Sequence, residues 1–159
     1  MFTRTKLFAA ALFALCSIAS PFVSPVIGEN ATDKELKTFQ GTWIMVSGEM
    51  DGKKISDEHV NKSKIVYQGH KGQLTAPHQS NDTILFEVVK IDPTKSPKEF
   101  SFIRKTGPSA GKTITAIYEF DGNDQYKFAF DPTAVTTPKD FTTKEGTGYI
   151  RQTWKRSKP

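Results

Sequence analysis

From Thr42 onward the chain is a succession of short stretches in which apolar and polar residues alternate, each cut off by a turn sequence, with no crossover helix between them. A period of two sends alternate side chains to opposite faces of a strand. Ile84, Phe86 and Val88 then share one face, as do Phe100 and Phe102, Ile114, Ala116, Tyr118 and Phe120, and Tyr126, Phe128 and Phe130. Glu87, Ser101, Thr115, Glu119 and Lys127 occupy the opposite faces. The pattern demands a sheet with one dry side and one wet side.

The stretches fall at residues 42–49, 64–68, 73–75, 81–92, 98–105, 113–120, 125–130 and 149–156, about eight strands in all. Asp51-Gly52 is a hairpin turn, because Asp tolerates and Gly readily adopts the positive φ that such turns need. Prolines break the chain at 93–97, glycines turn it at 107–112, and Asp121-Gly122-Asn123 turns it again. Residues 56–62 fit one helical turn capped by Ser56, and 131–148 form a long connection rich in Thr and Pro. Before the first strand, Thr32 and Glu35 fit a capping box for a helix of about two turns, with Leu36 and Phe39 on its apolar face and Gly41 ending it. The expected fold class is all-β, an antiparallel meander closed into a barrel or split into a sandwich. Closure removes both exposed edges and sets the first strand beside the last, with Trp43 near Trp154 and Arg156.

The first 28 residues read as a secretory signal peptide. Arg4 and Lys6 precede the apolar run from Leu7 to Ile18, which is short for a permanent membrane anchor. Ser17 and Ala19 suit cleavage after Ala19, and Val26 and Gly28 suit cleavage after Gly28. Residues 29–159 are left as one domain, secreted or periplasmic, with no transmembrane anchor once the leader is removed. The single cysteine, Cys16, leaves with the leader, so the mature domain relies on packing and not on disulfides. Loss of Arg4 and Lys6 also lowers the formal charge from +5 to +3, and three of the remaining basic residues are arginines. Acids are interspersed among the lysines, so no basic stripe exists to follow a phosphate backbone, and nucleic acid is not an expected partner.

Gly41-Thr42-Trp43, with a basic residue at the end of the final strand, resembles the signature of lipocalins and related small barrels. Phe39-Gln40-Gly41-Thr42-Trp43, Asp51-Gly52-Lys53, Ile91-Asp92-Pro93-Thr94-Lys95-Ser96-Pro97-Lys98, Gly111-Lys112-Thr113 and Ile117-Tyr118-Glu119-Phe120-Asp121-Gly122 occur in the order found in the secreted lipocalin-like domains of planctomycete bacteria, and the chain resembles that family from Asp33 to Arg156. The resemblance implies a small eight-stranded lipocalin-like (calycin-type) barrel with a short N-terminal helix, in which Trp43 plugs one end and Arg156 lies across its ring. It implies no activity. The chain departs from the family pattern at Ala116, where Gly is common, at Thr137, where Arg is common, and at Phe128-Ala129-Phe130, a segment that often contains Cys.

No residue pattern points to catalysis. Gly107-Pro-Ser-Ala-Gly111-Lys112-Thr113 ends like a phosphate-binding loop, but three residues separate its glycines where that loop needs four, and it leads into a strand, so it reads as a hairpin turn. His59, His70 and His78 lack the spacing that puts two ligands on one face; His70 and His78 could meet across a hairpin, but solvated loops are the simpler reading. Serines and threonines lack a nucleophile elbow, and the paired acids lie in turns. The expectation is a protein without enzymatic activity, metal or cofactor. The candidate lumen is lined by Phe86, Phe100, Phe102, Tyr118, Phe120, Tyr126 and Phe128, with Arg104, Arg151 and the hydroxyls of Tyr118 and Tyr126 orienting a ligand near a rim. Two roles follow from it. A hollow barrel would carry a small hydrophobic or aromatic ligand, whereas a filled barrel would serve as an envelope or extracellular interaction module that presents loops, chiefly 131–148, to a protein or polysaccharide.

Overall fold

The computed structural model of the chain describes residues 30–77 and 83–158. The expected leader, with Cys16, and His78 lie outside them. The first element is helix α1, Ala31–Phe39, and its N-cap is Asn30, not Thr32: the Asn30 side-chain oxygen accepts the Asp33 N–H at 2.9 Å. The two residues of the expected capping box are used for docking instead. The Thr32 hydroxyl accepts the Ile91 N–H at 3.1 Å and donates to the Ile91 carbonyl at 3.3 Å. Glu35 accepts from the Tyr118 hydroxyl at 2.8 Å and from Lys98 Nζ at 3.2 Å.

The strands that follow are β1 (Gly41–Met50), the two-residue β2 (Lys53–Lys54), β3 (Lys64–Gln68), β4 (Lys71–Thr75), β5 (Ile84–Asp92), β6 (Lys98–Arg104), β7 (Thr113–Asp121), β8 (Gln125–Phe130) and β9 (Ile150–Arg156). A short helix α2, Asp57–Lys62, lies between β2 and β3 with Ser56 as its N-cap. Each strand from β3 to β9 pairs antiparallel with the next, β1 pairs with β3, and β1 also pairs with β9, so eight strands close into a barrel with β2 as a flap on β1. The chain therefore adopts the all-β, lipocalin-like barrel with a short N-terminal helix, and not a sandwich. Closure sets Trp43 opposite Arg156 and Met45 opposite Trp154. At the β1–β2 hairpin Asp51 and Gly52 have φ of 52° and 76°, the left-handed pair that matches the twist of the strands.

Two bulges set which residues face inward. The register shifts between Met45 and Ser47 in β1 and between Val88 and Lys90 in β5. Each inserts one residue and reverses the alternation beyond it. Trp43 and Met45 are buried before the first bulge and Gly48 after it; Ile84, Phe86 and Val88 are buried before the second and Ile91 after it. Without the bulges, Gly48 and Ile91 would point to solvent.

The dry face converges on a ring from the helix. Phe39, fully buried, lies with its centroid 4.8–5.7 Å from the rings of Tyr67, Phe100, Tyr118, Phe120 and Tyr126. All five contacts are tilted or edge-on, the arrangement favoured by ring quadrupoles. One end of the barrel is thereby stoppered.

Candidate functional site

At the stoppered end the plug is joint. Trp43 is fully buried, its Nε1–H donates to the Phe39 carbonyl at 2.7 Å, and the Arg156 guanidinium lies 4.2 Å from its ring. Arg156 also donates to the carbonyls of Gln40 at 2.7 Å and Thr38 at 2.9 Å, the C-terminal end of α1, where a cation is favoured. Its Nε–H reaches Asp124 at 3.1 Å, so one side chain joins helix, first strand and β7–β8 turn.

Within the barrel, Phe86, Phe100, Phe102, Tyr118, Tyr126 and Phe128 are buried and Phe120 is partly buried. Tyr67, from β3, adds a ring that sequence reading did not place there, and its hydroxyl lies 3.3 Å from that of Tyr126. Burial pushes both phenols well above the ordinary tyrosine value, so they stay neutral. The hydroxyls of Tyr118 and Tyr126 are thus engaged near the stoppered end, with Glu35 and Tyr67, and not at a ligand rim. The rings leave an internal space of about 30 Å³ among Phe86, Phe100, Phe102 and Phe128. That is room for about one water.

Concavities of about 450 and 400 Å³ beside the stopper are lined by charged side chains, among them Lys98, Glu119, Glu35 and Arg156; the apolar one is at the opposite end. A concavity of about 380 Å³ opens there, walled by Met50, Ile55, Leu74, Phe130, Pro132 and Ile150. Leu74, Ile84, Arg104, Phe130 and Gln152 line both this mouth and the small space beneath it, so they form its floor. Met50 is half exposed and belongs to the rim. The walls come from β1, the segment before α2, β4, the connection after β8, and β9. Ile55, Pro132 and Ile150 were not among the expected lining residues, because they enter through long-range packing that local alternation does not register.

Arg104 carries the polar chemistry of the floor. It continues the inward face of Phe100 and Phe102 and is only 7% exposed. One Nη donates to the Pro108 carbonyl at 2.8 Å, the guanidinium lies 5.9 Å from the Phe130 ring centroid, and Nε is buried without a hydrogen-bond partner. Burial lowers its pKa from the ordinary arginine value, and no carboxylate is among the residues that line the mouth or the space below it. Gln152, also buried, accepts from Trp154 Nε1 at 3.3 Å. It shares a face with Trp154 two residues on, the signal that could have found it. The same parity turns Arg151 away from the lumen: it pairs with Glu49 on the outer side of the barrel, which corrects its expected place among the lining residues.

The loop that resembled a phosphate cradle is the β6–β7 hairpin turn, folded back over Arg104. The Gly111 N–H donates to the Arg104 carbonyl at 2.7 Å, and the Arg104 N–H donates to the Lys112 carbonyl at 3.2 Å. The Ser109 hydroxyl donates to the Pro132 carbonyl at 2.8 Å, fastening this turn to the long connection. That connection is organised by Asp131, whose two oxygens accept the N–H groups of Thr133 and Thr136 at 2.8 and 2.9 Å. Burial opposes its ionisation, but the hydrogen bonds from Thr133 and Thr136 outweigh burial and hold the carboxyl at about 2.

His70 is not simply a solvated loop residue. Its Nδ1 lies 3.0 Å from the Val88 carbonyl and its Nε2 2.8 Å from Asp33, linking the β3–β4 turn to β5 and α1. His59 lines the mouth. Among the described residues no group of three or more His, Cys, Asp or Glu is placed to hold a metal ion, and no helix is long and apolar enough to cross a membrane. No family model, curated protein or solved structure matches the chain.

Proposed function

We propose that the chain is a secreted or periplasmic, non-catalytic lipocalin-like protein of the kind it resembles in planctomycete bacteria, and that it takes a small apolar ligand at the open mouth of its barrel. The observation that carries this reading is the asymmetry of the two ends. One is stoppered by Phe39, Trp43 and Arg156 and its surface hollows are lined by charged side chains, whereas the other opens as an apolar concavity of about 380 Å³. That volume lies at the lower end of the roughly 300–1,000 Å³ common among small-molecule sites. With about 30 Å³ free beneath the floor, the ligand is held in the mouth and not swallowed into the lumen.

The filled lumen also favours a second reading, an interaction module that meets a protein or polysaccharide through the connection after β8. Native mass spectrometry of the purified protein, incubated with lipids, pigments and aromatic acids, separates the two. A retained small molecule, lost when Leu74→Trp fills the mouth, is the expected result. Absence of any adduct across the panel would overturn the carrier reading in favour of the module.

A further inference from the structure

The apolar mouth has one feature that an apolar ligand does not explain. A guanidinium carries five N–H donors and a full charge, and burying it is costly unless an anion or several acceptors receive it. Arg104 is more than nine-tenths buried, donates to one carbonyl, and leaves Nε without a partner, at the floor of a concavity whose lining includes no Asp or Glu. It is the one buried side-chain nitrogen or oxygen without a hydrogen-bond partner among the described residues. Phe130 on one side and the Pro108 carbonyl on another hold the guanidinium in place. A planar fork so fixed suits a carboxylate, whose two oxygens match its geometry.

We propose that Arg104 is an anion-recognition residue, and that the mouth takes a small amphipathic carboxylate with its head against the Arg104 guanidinium and its apolar tail along Leu74, Ile55 and Ile150 toward the rim. This rests on the mouth being a ligand site and adds the chemical class and orientation of the ligand. A neutral apolar molecule would fill the same walls but leave the charge uncompensated, so the head group and not the tail decides affinity. His59 is the other basic residue in the lining and is the competing candidate; Lys62, an exposed cation of α2 paired with Glu58 and outside the lining, supplies the control position.

The test is isothermal titration of the full-length secreted protein with decanoate and, in parallel, 1-decanol, which keeps the tail and removes the charge. Decanoate is expected to bind about tenfold or more tightly than 1-decanol, as a charge-assisted hydrogen bond to a buried partner implies. In Arg104→Met that preference is expected to fall to within about twofold, whereas Lys62→Gln retains it. Arg104→Lys keeps the charge without the fork and is expected to fall between, which also covers the case in which the Met variant does not fold. Equal affinity of the unmodified protein for the two probes, or a preference for decanoate that survives in Arg104→Met or is lost only in His59→Gln, would overturn the inference while leaving an apolar ligand site intact. Binding of neither probe would overturn both.

Discussion

At Gly72 the lack of a side chain is what lets the barrel wall receive a ring. Gly72 is opposite Phe86 in the β4–β5 pair, and a Cβ on Gly72 would stand 2.0 Å from the Phe86 ring. The ring therefore lies against the bare backbone and lines the small internal space. Gly72→Ala is expected to destabilise the fold by about 1–3 kcal/mol in denaturant unfolding, since the ring must be displaced within a packed core. Combining it with Phe86→Leu should recover part of that loss, and strictly additive effects would show that the two positions do not share the space. Nothing in the sequence marks Gly72, which reads as one more turn glycine after Gly69. Arg104 was legible as an inward residue because it continues the alternation of Phe100 and Phe102. Arg151 was misplaced because the alternation of β9 has to be counted from Trp154, and Gln152 holds the inward position.

Helix α1 is held to the barrel by polar contacts that no local pattern predicts. Thr32 meets Ile91, Glu35 meets Tyr118 and Lys98, and Asp33 meets His70. The Val88 carbonyl, and after it the Asp33 carboxylate, raise the His70 pKa above its ordinary 6.5, with partial burial opposing them. A raised folded-state value means that the protonated ring favours the docked helix. This contribution is complete below the unfolded value and fades as pH rises through the folded one. In an NMR titration the His70 ring is expected to titrate above a free histidine, and Asp33→Asn should lower its midpoint without removing the shift due to Val88. A midpoint at or below the free value in the unmodified protein would contradict the clasp. Because half-exposed groups are screened by solvent, the effect on global stability is small. The helix itself was readable from Leu36 and Phe39, but its start was not: Thr32 and Glu35 have the spacing of a capping box, and only the barrel surface shows that both side chains are drawn away from the helix end to Ile91, Tyr118 and Lys98. The bulges at Val46 and Val89 were equally hidden, since each is an apolar residue that alternation alone cannot distinguish from a strand position.

For the whole molecule, strand number and the order of hairpins were legible from alternation and turn chemistry; these left a barrel or a sandwich open, and the resemblance to lipocalin-like domains pointed to the barrel, which also removes the edges. Which end is open was not legible. That depends on where Phe39 comes to rest after α1 docks, and on Ile55, Pro132 and Ile150 arriving at the opposite rim from segments far apart in the chain. With a stopper at one end and a filled middle, the concavity at the opposite end is the apolar one, whereas those beside the stopper are lined by charged side chains such as Lys98, Glu35 and Glu119. The most direct measurement is a methyl-resolved NMR titration of the protein with 1-decanol, a probe that needs only the apolar walls. Shifts concentrated at Ile55, Leu74, Ile84 and Ile150, with Leu36 and Ile91 beside the stoppered end unmoved, are the expected result. Shifts at Leu36 and Ile91 instead, or none at the mouth at saturating probe, would contradict the assignment of the open end as the site.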